Sequence, residues 1–173
     1  MDVLVAIKSR RSIRAFEDRR IPEGALEKLI DAASCAPSAG NIQPWIFVIV
    51  RKPEGKQLLA QAALRQTFIQ KAPLVIVVCA DEARSSGRYG DRGRTLYCLQ
   101  DTSAAIENII LSAHSLGLGA CWVGAFREDA VRQILMIPYD VRPVAIVPVG
   151  YPAESPPPRR KRSFQEIVRY ESF

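Results

Sequence analysis

Residues 100–126 read QDTSAAIENIILSAHSLGLGACWVGAF. Ala104, Ala105, Ile106, Ile109, Ile110, Leu111 and Ala113 leave a helix over about residues 96–116 with little polar circumference, and a helix apolar nearly all round is buried on several sides. Gly117 and Gly119 end it, and Ala120 to Phe126 return as a strand. A dinucleotide-binding G-x-G-x-x-G opens a helix after a strand, whereas these glycines close a helix and enter a strand. The Rossmann reading fails on that context. Trp122, Val123, Gly124 and Ala125 are read instead as backbone groups and a narrow wall for a planar ligand.

Upstream, residues 2–9 carry Val3, Leu4 and Ile7 at helical spacing, and a second helix runs from Pro22 to Ala33 with Leu26, Leu29 and Ile30 on one face. A shaped loop, Pro37 to Pro44, delivers the chain into a strand at Trp45–Val50. Residues 54–70 read as one helix and Leu74–Cys79 as a buried strand. Residues 81–95, DEARSSGRYGDRGRT, are polar and glycine-containing and read as a mobile loop or lid. Its Arg84, Arg88, Arg92 and Arg94 lean towards a phosphorylated nicotinamide. Downstream come a short helix at 127–136 and a strand at Val144–Val149. Ser155-Pro-Pro-Pro158 then stops regular structure and projects an arm, Phe164–Phe173, whose apolar side chains need burial, plausibly on a partner subunit.

The 173 residues fit one domain, residues 1–173, with 48% hydrophobic and 24% charged residues. No run approaches the roughly 18 apolar residues of a membrane span, and the N-terminus has the wrong order of charge and apolarity for a secretory signal. The expected compartment is the cytoplasm. Four isolated cysteines without a CxxC pair read as buried thiols, and His114, the one histidine, lies in the apolar helical pattern, so no metal site is expected.

The net charge of +6 is clustered: Lys8 to Arg20 near one end and Arg159 to Arg162 near the other. Such clusters attract nucleic acid, but no aromatic residues interleave with them to stack bases. The more economical use is one phosphate, which needs two to four converging charge-assisted donors. Arg10, Arg11, Ser12 and Arg14 supply forks and a hydroxyl, as if two chain ends close on one anion. In Pro37-Ser-Ala-Gly-Asn-Ile-Gln43 the small residues allow close approach, while Asn41 and Gln43 offer the amides that meet a pyrimidine-like ring edge; the same residues also serve a simple helix-to-strand turn.

RRSIR, APSAGNIQPW, QDTSAAIENIILSAHSLGLGACWVGAF and PPRRKRSFQEIVRYE occur in this order over essentially the whole chain. Together they resemble the nitroreductase family of FMN-dependent oxidoreductases. The resemblance implies an α+β fold: a central, mostly antiparallel sheet flanked by helices, with the C-terminal arm exchanged in a homodimer. It implies that Arg10, Arg11, Ser12, Arg14, Arg159, Lys161 and Arg162 grip the FMN phosphate. Pro37, Ser38, Ala39, Asn41 and Gln43 would reach FMN from the opposite subunit, and Trp122 to Ala125 would pass the isoalloxazine. The implied chemistry is ping-pong hydride transfer from NADH or NADPH through FMN to a small acceptor such as a nitroaromatic, quinone or activated alkene, with no side chain nominated as acid or base. No nucleic acid or membrane is expected as partner. Alternatives are a family member that fragments flavin, removes halogens or oxidises heterocycles, and an FMN-binding protein without turnover. Gly124 stands where some relatives carry a carboxylate, so that side chain's contacts do not transfer.

Overall fold

The computed structural model describes all 173 residues. Its frame is a four-stranded sheet in the order β1-β2-β4-β3, with every neighbouring pair antiparallel. The strands are β1 (Trp45–Val50), β2 (Leu74–Asp81), β3 (Gly119–Ala120) and β4 (Val141–Gly150). Side chains alternate across a strand. In β2, Leu74, Ile76 and Val78 therefore face one side and Val75, Val77 and Cys79 the other, and all are buried.

Helices cover both faces. On the first, α2 (Glu23–Ser34) and α6 (Cys98–Ser115) bury Leu29, Ala33, Ile106, Ile109 and Ala113 against the sheet. On the second, α3 (Pro53–Ala62), α4 (Phe68–Lys71) and α7 (Glu128–Leu135) bring Leu59, Ile69 and Val131. The remaining helices are α1 (Val3–Ser9), α5 (Glu82–Arg92) and the one-turn α8 (Phe164–Ile167). This two-sided burial is why β2 reads as a continuous apolar run although its pairing is antiparallel.

The glycines after α6 have separate tasks. Gly117 adopts φ +75°, its N–H bonds to His114 O, and Leu118 N bonds to Ala113 O, which together close the helix in a Schellman turn. Gly119 serves close approach: a Cβ there would stand 2.6 Å from Ile13 Cγ1.

Several elements differ from the sequence reading. Residues 81–95 are not a loop: Asp81 Oδ1 accepts the Arg84 N–H at 2.8 Å and starts α5, which runs into a π-helical turn at Gly93–Tyr97 before α6. Residues 54–70 form two helices, because Leu64 and Arg65 take φ +56° and +62° between them. The strand expected over Ala120–Phe126 shrinks to Gly119–Ala120, after which Cys121 N still reaches Pro148 O and Val123 bridges Ile146. Strand β4 is longer than expected despite Pro143, which pairs with Cys79 where the register shifts and no donor is required.

Ile106 is fully buried between α6 and the sheet. Ile106→Ala is expected to cost about 2–5 kcal/mol, read as a lower urea midpoint at unchanged slope. Gly119→Ala forces a methyl onto Ile13 and is expected to cost about 1–3 kcal/mol in the same titration.

Candidate functional site

After α1 the chain runs extended along the end of the sheet. Ile13 N donates to Ala120 O at 3.0 Å, Ala153 N to Ala15 O at 2.9 Å and Glu17 N to Tyr151 O at 2.9 Å. Extended backbone alternates its side chains. Burial of Ile13 therefore turns Ser12 and Arg14 outward. The Glu154 carboxylate fixes this turn by accepting the backbone N–H of Arg14 and, at 3.1 Å, that of Ala15.

The two basic ends of the sequence meet. Arg10, Arg11, Ser12 and Arg14 form one wall of a cleft of about 710 Å³, and Pro156 to Arg159 with Lys161 form the other. Ile7, Lys8 and Glu107 complete it, so six cationic side chains face a single carboxylate. Glu107 is 3.9 Å from Arg10 Nε, too long for a strong pair. Arg162, the seventh residue of the expected set, does not line this cleft; its Nη2 donates to Glu166 O at 2.7 Å beside α8. A smaller cavity of about 170 Å³ shares Arg10, Arg11 and Pro156 with the cleft and contains His114. His114 Nε2 lies 2.7 Å from Ser9 Oγ, and burial, with the charges of Arg10 and Arg11, holds its imidazole below the ordinary value.

None of residues 37–43 lines this cleft. They form a tight loop in which Gly40, Asn41 and Gln43 adopt φ +55°, +56° and +54°. Ser38 Oγ accepts the Gln43 N–H at 3.0 Å, and Asn41 Oδ1 accepts from Gln43 Nε2 at 3.2 Å. The Asn41 amide nitrogen and the Gln43 side-chain oxygen are left for another partner. Asp101, buried on α6, accepts the Ala39 N–H through both oxygens at 3.1 and 3.2 Å. Burial pushes its carboxyl above the ordinary carboxylate value and that N–H opposes the shift.

Val123 is pinned to Ile146 by a pair of backbone bonds of 3.0 Å, while Trp122, Gly124 and Ala125 are exposed. The amides of Gly124 and Ala125 have no acceptor within the chain. Gln66 Nε2 donates to Ala125 O at 3.1 Å and holds this segment from the opposite side. The buried thiols are poor nucleophiles, since burial pushes Cys98 and Cys121 up and Cys79 to about 12; Cys35 alone is exposed. No group of three or more His, Cys, Asp or Glu side chains could hold a metal ion, and no helix is long and apolar enough to cross a membrane.

Sequence reasoning missed Glu154, Glu107, Asp101 and Gln66. Asp101 left a signal, a lone acid in the first turn of an otherwise apolar helix; Glu154, placed before a proline run, left none.

Residues 7–68 and 56–151 match the model of the nitroreductase family. A protein of Methanothermobacter thermautotrophicus named for NADH dehydrogenase and NAD(P)H nitroreductase is 41% identical over 162 residues, covering 90% of this chain and 80% of its own length. A crystal structure from Parabacteroides distasonis bearing the same name is 31% identical, with a TM-score of 0.88 over 99% of this chain and 98% of that one. The NADPH:FMN oxidoreductase of Vibrio harveyi, solved with NAD+, is 25% identical, with a TM-score of 0.91 over 99% of this chain and 77% of its own. The chain belongs to the nitroreductase family.

Proposed function

We propose that this oxidoreductase is an FMN-dependent NAD(P)H enzyme, one FMN-binding unit over residues 1–173, that works as a homodimer and passes electrons to a small acceptor such as a nitroaromatic, a quinone or an activated alkene. The observation that carries the reading is the cleft in which six cations face one carboxylate. Like charges held this close repel one another and weaken the native state unless an anion joins them, and a phosphate monoester accepts several bidentate guanidinium bonds at once. The names of the relatives, which include NAD(P)H nitroreductase and NADPH:FMN oxidoreductase, agree with it.

The residues present fit the cofactor. Arg10, Arg11, Ser12, Arg14, Arg159 and Lys161 would hold its phosphate. The unpartnered amides of Gly124 and Ala125 offer donors to a ring heteroatom, with Trp122 and Val123 as the adjoining wall. When bound, FMN supplies two-electron chemistry, taking a hydride from NADH or NADPH and giving it up to the acceptor in alternate half-reactions. The protein's part is positioning and exclusion of water, and no side chain is assigned a proton.

A second subunit completes the site in this reading. The loop Pro37, Ser38, Ala39, Asn41 and Gln43 lies outside its own basic cleft, which leaves it available to a ring held by the other copy. The apolar surface needed for pairing is available: Val3 and Leu4 on α1 and Phe164, Tyr170 and Phe173 on the arm are all exposed, Phe173 fully. Burying a side chain of this kind stabilises by about 1.5–3 kcal/mol, so arm exchange in a homodimer is a strong sink for them.

Arg14→Ala with Lys161→Ala removes two charge-assisted contacts worth about 1.5–3 kcal/mol each and is expected to raise the FMN dissociation constant by about 100-fold or more in a fluorescence titration. Unchanged affinity would defeat the phosphate assignment. In sedimentation at micromolar concentration the wild type is expected to run as a dimer, and Phe164→Ser with Phe173→Ser to shift the boundary towards monomer.

A further inference from the structure

The loop Ala39–Gln43 is closed by its own hydrogen bonds but carries backbone strain. Left-handed backbone costs an L-residue about 1–2 kcal/mol, and two non-glycine residues here, Asn41 and Gln43, adopt it within three positions. Strained segments persist only where the surroundings over-determine them. The surroundings are α5. Arg84 Nε donates to Ile42 O at 2.6 Å, and Arg88 Nη1 donates to Gly40 O at 3.2 Å. Tyr89 closes over the same turn: a Cβ on Gly40 would lie 2.5 Å from its hydroxyl and 2.8 Å from Arg88 Nη1. From the far side Asp101 holds Ala39 N.

We propose that Arg84 and Arg88 are positioning residues of the active site: by holding the carbonyls of Ile42 and Gly40, they fix the strained loop whose Asn41 and Gln43 amides meet the flavin ring edge. The role rests on the flavin reading above and adds a function to the segment that carries these arginines. Both residues are solvent-exposed, so stability alone does not account for a pair of guanidinium groups aimed at backbone carbonyls. Arg92 and Arg94, on the same segment, are the internal control. Arg92 bonds Tyr97 and Arg94 pairs with Asp91, and neither reaches the loop.

The test separates the two halves of the cofactor by titrating FMN and riboflavin, which lacks the phosphate, into the flavin-free full-length protein while recording the visible spectrum of the bound ring. Arg84→Ala with Arg88→Ala is expected to weaken both ligands about tenfold, leaving the FMN to riboflavin affinity ratio as in the wild type, and to move the bound-flavin spectrum towards that of free flavin. Arg88→Ala alone keeps the Arg84 bond and is expected to show the same direction at about threefold. Arg92→Ala with Arg94→Ala should leave affinities and spectrum unchanged. Wild-type affinities and spectrum in the Arg84 and Arg88 double variant, or equal losses in the Arg92 and Arg94 control, would overturn the positioning role. A failure of the underlying reading looks different: Arg14→Ala with Lys161→Ala would then leave the FMN to riboflavin ratio unchanged.

Discussion

Ile13 lies against Gly119 so closely that no methyl group fits between them. Most of the site depends on that contact. It seats residues 12–17 beside the end of the sheet, where backbone bonds to Ala120, Tyr151 and Ala153 hold them. It also presents Ser12 and Arg14 to the segment that returns from β4 through Pro156 to Lys161. The apolar interior and the polar cleft are thus two sides of one extended segment, the isoleucine facing the core and its neighbours facing the basic cleft.

The charges follow from the same geometry. Isolated surface arginines contribute little to stability, but six cations confined to one cleft raise the local potential and steer anions into it. Glu154 shows how the fold tolerates this crowding, since its carboxylate is spent on the backbone amides of Arg14 and Ala15 and leaves the Arg14 guanidinium, which lies over the Phe68 ring, without a carboxylate partner. The loop at residues 37–43 follows the opposite logic. Its side-chain amides are uncharged, and bonds within the loop are braced from outside by Asp101 on one side and α5 on the other.

Much of this was legible in the sequence. Trp45–Val50 and the buried strand beginning at Leu74 stand out because β-branched runs bounded by proline have few other uses, and the long apolar helix is where its pattern places it, over Cys98–Ser115. The two basic ends do close on one cleft. Residues 81–95 misled because glycine, serine and arginine carry no apolar period. The helix there is set by the Asp81 cap and by Ser85, buried and bonded to Gly93 O at 3.0 Å, and neither shows in composition. Arg162 stands outside the cleft, bonded to Glu166 O, because neighbours in a basic run cannot all face one way. Glu154 acts only on backbone, 140 residues away in sequence, and such pairings have no local signature.

The most direct measurement is anaerobic: purified protein is mixed with an equivalent of FMN, passed through a membrane that retains the protein, and then given one equivalent of NADH or NADPH. The account predicts that the yellow colour stays with the protein and bleaches on addition of nicotinamide. FMN passing freely into the filtrate, or a retained flavin that neither nicotinamide reduces, would contradict it.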